Sequence, residues 1–192
     1  MTTGRPREFD EETVLDAATA EFHERGYHAT ALSGLLEATG LHKSSLYGAF
    51  GDKHRLFVTV LERYVERRVE LGRADLESVA SPLEGIKVYM RRQAREAHKG
   101  RGCLSANSAM ELLPGDLDVE RVVARHQRLT RDLFAGALES AKLAGEIPAD
   151  RPTETLARYL FTMIEGLWEL GRTSAEVEPL YDVVDATIRA VR

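Results

Sequence analysis

The chain has 192 residues, 43% of them hydrophobic and 30% charged, and a formal net charge of −5. That balance fits a soluble globular protein with a substantial core; it excludes a fibrous or disordered chain and one that coats nucleic acid through bulk positive charge. A single cysteine, Cys103, excludes an internal disulfide and a cysteine-rich zinc site, and charges break every long apolar stretch, as Glu165 does between Leu160 and Leu167, so a cytoplasmic protein without a membrane segment is expected.

Apolar residues recur at helical period nearly everywhere, and no run alternates as a strand must, which predicts an all-α chain of about nine helices. Asp10 is a good N-cap with Glu11 and Glu12 in the first turn, Val14, Leu15, Ala18 and Phe22 form an apolar face, and Gly26 reads as the stop. A second, short helix follows Thr30 and ends at Gly40; a third runs from about Lys43 to Phe50 and is closed by Gly51. From about Lys53 a longer pattern runs through Leu56, Val60, Leu61 and Val65 toward Ser78. Ser81-Pro82 starts the next helix, which carries Ile86, Tyr89, Met90 and Ala97 before two glycines break it at 100 and 102. Cys103 to Leu113 makes a short helix, and Asp118 to about Ala144 a long one. The last two, over 152–172 and from about 177, place Leu156, Leu160, Met163 and Leu167, then Val177, Tyr181, Val184 and Ile188, at spacings of four and three. Such spacing is the seam of left-handed helix packing, which predicts a homodimer closed by these residues; the alternative is that both stripes are internal core of one chain.

Two short helices joined at a Gly turn, the second rich in small polar and basic residues, fit a helix-turn-helix whose second helix enters the major groove. Leu41, Leu46 and Phe50 then look inward, leaving His42, Lys43, Ser44, Ser45 and Tyr47 toward DNA. Lys43 reaches guanine acceptors or a phosphate, Tyr47 and Lys53 suit phosphates, Thr30 sits at a helix N-terminus, and Arg5 and Arg7 form a basic leading arm. Charge supports this locally: Asp10, Glu11, Glu12, Asp16, Glu21 and Glu24 make the first helix acidic, whereas residues 41–56 hold Lys43, Lys53 and Arg55 against Asp52.

The stretches "GRPREF" and "AATAEFHERGYHATALSGLLEATGLHKSSLYGAFGDKHRLF" resemble the amino-terminal domain of the TetR/AcrR family of bacterial transcription regulators. The resemblance implies an N-terminal helix-turn-helix domain (1–52), a linking helix from about 53, and a helical effector-binding and dimerisation domain (53–192). It also implies phosphate contacts at Tyr47 and Lys53, a recognition helix holding His42, Lys43, Ser44 and Ser45, an inverted-repeat operator as partner, and repression as the default. Gly48 stands where the family often carries a bulkier polar residue.

An effector cavity is expected among the middle helices, lined by some of Tyr89, Met90, Leu112, Cys103, His126, Leu129, Phe134, Phe161 and Trp168, and suited to a small hydrophobic or aromatic molecule; the alternative for each of these residues is plain core, the commoner place for a Met or aromatic at helical spacing. Cys103 beside Lys99 and Arg101 reads either as a reactive thiol or as a small buried hydrophobe. His98, Cys103 and His126 lack metal-ligand spacing, so neither a metal nor a cofactor is expected. No GxSxG, GxGxxG, P-loop or HExxH motif is present, which points away from an enzyme.

Overall fold

The computed structural model describes residues 9–192, and among them every regular element is an α-helix, nine in all. Arg5 and Arg7 lie outside the described residues. The chain divides into two compact units, one ending at Tyr64 and the other starting at Val65.

The first unit holds α1 (Glu11–Ala29), α2 (Leu32–Thr39), α3 (Lys43–Phe50) and the start of α4 (Lys53–Glu77). Asp10 caps α1 by accepting from the Glu12 and Thr13 amides at 3.3 Å each. Gly26 interrupts α1 with φ 78° but does not end it: hydrogen bonding resumes for one more turn to Ala29, so the expected stop is a kink. Gly40 ends α2 in the left-handed region at φ 67°. The unit boundary falls inside α4, beyond the 52/53 boundary read from sequence, because the helix's opening turns belong to the first core. Phe57 meets Phe22 edge to face at 4.9 Å, and Leu56, Val60 and Leu61 are buried with them. Arg63 bridges back to Asp16 at 2.7 Å and to Glu12. A ring buried as fully as Phe22 contributes about 1.5–3 kcal/mol, against ~0–1 kcal/mol for exposed ion pairs such as these, so the apolar contacts fix the fold and the charges orient it.

The second unit contains the rest of α4 with α5 (Pro82–Ala97), α6 (Leu104–Leu112), α7 (Leu117–Leu143), α8 (Thr153–Gly171) and α9 (Glu178–Val191). Ser81 caps α5 through the Glu84 amide at 3.1 Å, and Asp116 caps α7 through the Val119 amide at 3.1 Å. Helix α8 packs on α5 and α7, and α9 on α5 and α8. Gly171 lets the ends of α8 and α5 approach closely: a Cβ there would lie 2.6 Å from the Ala97 carbonyl carbon.

The two C-terminal stripes require a correction. Leu160, Leu167 and Val184 are fully buried within the chain, and Leu156 and Ile188 nearly so. Tyr181 lies under the Arg91 guanidinium of α5 at 5.1 Å. The expected seam is therefore mostly the protomer's own core; Met163 and Val177 alone among those eight residues remain half-buried without such a partner. The uncovered flank of α8 is Thr155, Tyr159, Thr162, Met163, Gly166 and Leu170, of which Tyr159, Met163, Gly166 and Leu170 also keep a spacing of four, three and four. On α9 the equivalent flank is Pro179, Val183, Ala186 and Ala190. Neither flank carries a charge, whereas the opposite flanks hold Arg158, Glu165, Glu169 and Arg172 on α8 and Asp182, Asp185 and Arg189 on α9.

Candidate functional site

Helix α3 is anchored by Leu46, fully buried, and by Phe50. Helical geometry then turns the opposite side outward, and His42, Lys43, Ser44, Ser45 and Gly48 are all exposed, with Tyr47 half-buried. Lys43 Nζ lies 5.7 Å from the Tyr47 ring centroid and Lys53 Nζ 4.5 Å from that of Tyr27, so each ammonium rests on an aromatic face. Tyr27 is in turn packed on Phe57 at 4.9 Å, which ties the Lys53 position to the core. A Cβ built on Gly48 meets nothing within 4 Å. Glycine is not needed there for packing, and with Ser44 and Ser45 it leaves a low-relief backbone patch beside Lys43.

Thr30 is placed differently from expectation. Its side chain is fully buried and its hydroxyl donates to the Gly26 carbonyl at 2.6 Å, closing the extra turn after the kink; the residue preceding α2 is Ala31. The hydroxyl is spent inside the protein, so it does not present a phosphate ligand.

In the second unit, four of the sequence-derived effector residues, Cys103, His126, Phe161 and Trp168, meet at one cavity of about 260 Å³ between α6, α7 and α8. The others do not line it. Tyr89 and Phe134 form an edge-to-face pair at 5.0 Å, and Met90 is fully buried, so these three are core. Cys103, only 2% exposed, is the N-cap residue of α6, and its carbonyl accepts from the Asn107 amide at 2.8 Å. Burial, with Arg68 nearby, pushes the His126 imidazole down to about 4, so it is neutral at physiological pH. Burial alone raises the Glu165 carboxyl. Arg172, at the rim, pairs with Glu169 at 3.6 Å and donates to the Asn107 side chain. Glu165 and Arg172 are cavity residues that sequence reasoning did not place; the signal for Glu165 was a charge interrupting the apolar stretch from Leu160 to Leu167.

Arg91 and Arg92 of α5, and Lys99 just after it, are neutralised within their own unit: Arg91 pairs with Asp185 at 3.2 Å, Arg92 with Asp75, and Lys99 with Glu96 at 2.8 Å. Among the described residues no His/Cys/Asp/Glu group could hold a metal ion, and no helix is long and apolar enough to cross a membrane.

Comparison with known proteins matches this arrangement. Residues 14–60 match the family described as bacterial regulatory proteins, tetR family, and residues 76–187 a tetracyclin repressor-like C-terminal domain. The chain is 32% identical over 189 residues to YezE, an uncharacterized HTH-type transcriptional regulator of Bacillus subtilis (strain 168), covering 96% of this chain and 97% of that protein. It is 30% identical over 190 residues to the HTH-type transcriptional repressor ComR of Escherichia coli (strain K12), covering 97% and 90%. A cysteine mutant of the TetR family regulator CifR, solved in complex with a 26-base-pair double-stranded operator DNA, superposes with a TM-score of 0.87 at 30% identity, covering 98% of this chain and all of that one. An all-helical fold that exposes the polar face of a short third helix, matched by both family domains and by relatives along nearly its whole length, places the chain in the TetR family of bacterial transcriptional regulators.

Proposed function

We propose that the protein is a homodimeric repressor that binds an inverted-repeat operator and releases it when a small molecule occupies the cavity between α6, α7 and α8. The observation that carries this reading is the division of α3: Leu46 and Phe50 hold the helix to the core while His42, Lys43, Ser44 and Ser45 stand exposed. Lys43 and the serines reach base edges, and Tyr47 and Lys53 hold the backbone. The Thr30 hydroxyl, held by the Gly26 carbonyl, takes no part in the contact. Two-fold pairing through the uncharged flanks of α8 and α9 presents two such helices, so the recognised sequence has matching symmetry. Operator-bound CifR and the repressor ComR support DNA as partner and repression as outcome. An effector that binds better to a dimer state of low operator affinity releases DNA through a coupling between the two sites. The protein acts in the cytoplasm, where its operator lies.

Selection of bound fragments from a random duplex pool, followed by footprinting, tests the reading: an inverted repeat protected on two half-sites is expected. Enrichment of no common sequence would refute it.

A further inference from the structure

The cavity between α6, α7 and α8 has a charge that its own walls leave unmatched. Glu165 enters it from α8 between two aromatic walls, Phe161 one turn before and Trp168 nearly one turn after, and no protein group among the described residues hydrogen-bonds its carboxylate. The rest of the lining does not compensate. Arg172 is committed to Glu169 and Asn107. Arg68 lies over the Trp168 ring at 5.2 Å, does not line the cavity, and donates to the Gln93 side chain. His126, facing the same space, is held neutral by burial and by Arg68. A carboxylate partly withdrawn from water and given no protein donor favours an occupant that supplies the missing charge and donors. Phe161 and Trp168 add apolar wall on either side of the carboxylate, suited to the body that carries such a charge.

Building on the effector reading above, we propose that this cavity takes an organic cation: a protonated amine on a small apolar or aromatic body, its ammonium on Glu165 and its body against Phe161 and Trp168. The chain's one tryptophan is Trp168, so its fluorescence reports occupancy directly, without DNA.

The test uses the full-length protein and three probes of matched shape, 2-phenylethylammonium, 2-phenylethanol and phenylacetate, titrated against Trp168 fluorescence excited where the probes do not absorb. The cation is expected to bind at least tenfold more tightly than the alcohol, with phenylacetate weakest. In Glu165→Gln, which keeps shape and removes charge, the cation should lose that advantage while the alcohol binds as before. Equal binding of cation and alcohol to the unaltered protein, or no binding of the cation, overturns the proposal without any variant being needed. Operator release is measured separately. Cation binding that depends on Glu165 but leaves the operator bound sustains the cation site and refutes its role as the effector site; release by the neutral probe alone does the reverse.

Discussion

Replacing Gly166 with arginine should weaken assembly while strengthening the single chain. Gly166 lies in the interior of α8, is exposed, and a Cβ there meets nothing within 4 Å. Glycine in a helix interior costs about 1 kcal/mol relative to a good helix former, so in an isolated protomer the substitution stabilises by up to about 0.8 kcal/mol. In a two-fold dimer closed along this flank, each side chain instead intrudes on the partner. Overpacking costs about 1–3 kcal/mol at each of two related positions, about 2–6 kcal/mol in all, which weakens the dimer Kd by roughly one and a half to four orders of magnitude. Sedimentation equilibrium measures the association, and urea unfolding at a concentration where both proteins are monomeric measures the protomer. Leu160→Ala is the control. It lies in the stripe that sequence spacing favours but is fully buried, so it should cost about 2–5 kcal/mol of protomer stability. An unchanged dimer Kd for Gly166→Arg, or Leu160→Ala weakening the dimer with no loss in folding, would refute the assignment of the seam.

Gly171→Ala should destabilise by about 1–3 kcal/mol in urea unfolding, because its Cβ would fall on the backbone of Ala97, whereas Gly136→Ala, with open space around it, should stabilise by up to about 1 kcal/mol. Thr30→Val keeps the packing but removes the hydrogen bond to Gly26, so it should cost about 1 kcal/mol of stability and leave operator affinity, measured by fluorescence anisotropy, unchanged. The His126 imidazole, held down to about 4 against 6.5, binds fewer protons folded than unfolded between those values; its stabilising contribution is complete above about pH 6.5 and declines by up to about 3 kcal/mol as the pH falls to about 4. His126→Gln should flatten that part of the pH dependence of unfolding relative to the unaltered protein.

The starts at Asp10 and Ser81 were legible because capping is local chemistry, each side chain accepting from an amide two or three residues on, whereas α7 was read from Asp118 and is in fact capped by Asp116. Gly26 misled because a left-handed glycine marks both a helix end and a kink; what separates them is the turn closed by Thr30, a contact formed only when the chain bends. The exposed face of α3 was readable from period alone, since Leu46 and Phe50 fix which side is inside. The flank proposed above for pairing was not. Hydrophobicity selects the most apolar stripe, and in α8 and α9 that stripe is buried by α5 and α7, while the flank left over is uncharged but mixes Tyr159, Met163 and Leu170 with threonines, glycine and alanines, which gives a weaker signal. Tyr89 and Phe134 have the same residue chemistry as Phe161 and Trp168; only tertiary packing makes one pair core and the other cavity wall.

In the repressor proposed above, α3 and the start of α4 carry the charge that attaches the protein to its operator. Operator affinity of the unaltered protein and of the Lys43→Gln, Lys53→Gln double variant, followed across a range of salt concentrations, tests it most directly. Four lysines are lost from a dimer, and each phosphate contact contributes roughly 0.9 to the slope of log affinity against log salt, so the slope should fall by roughly 2–4 with at least a hundredfold loss of affinity at low salt. An unchanged slope and affinity on the selected inverted repeat would contradict the claim.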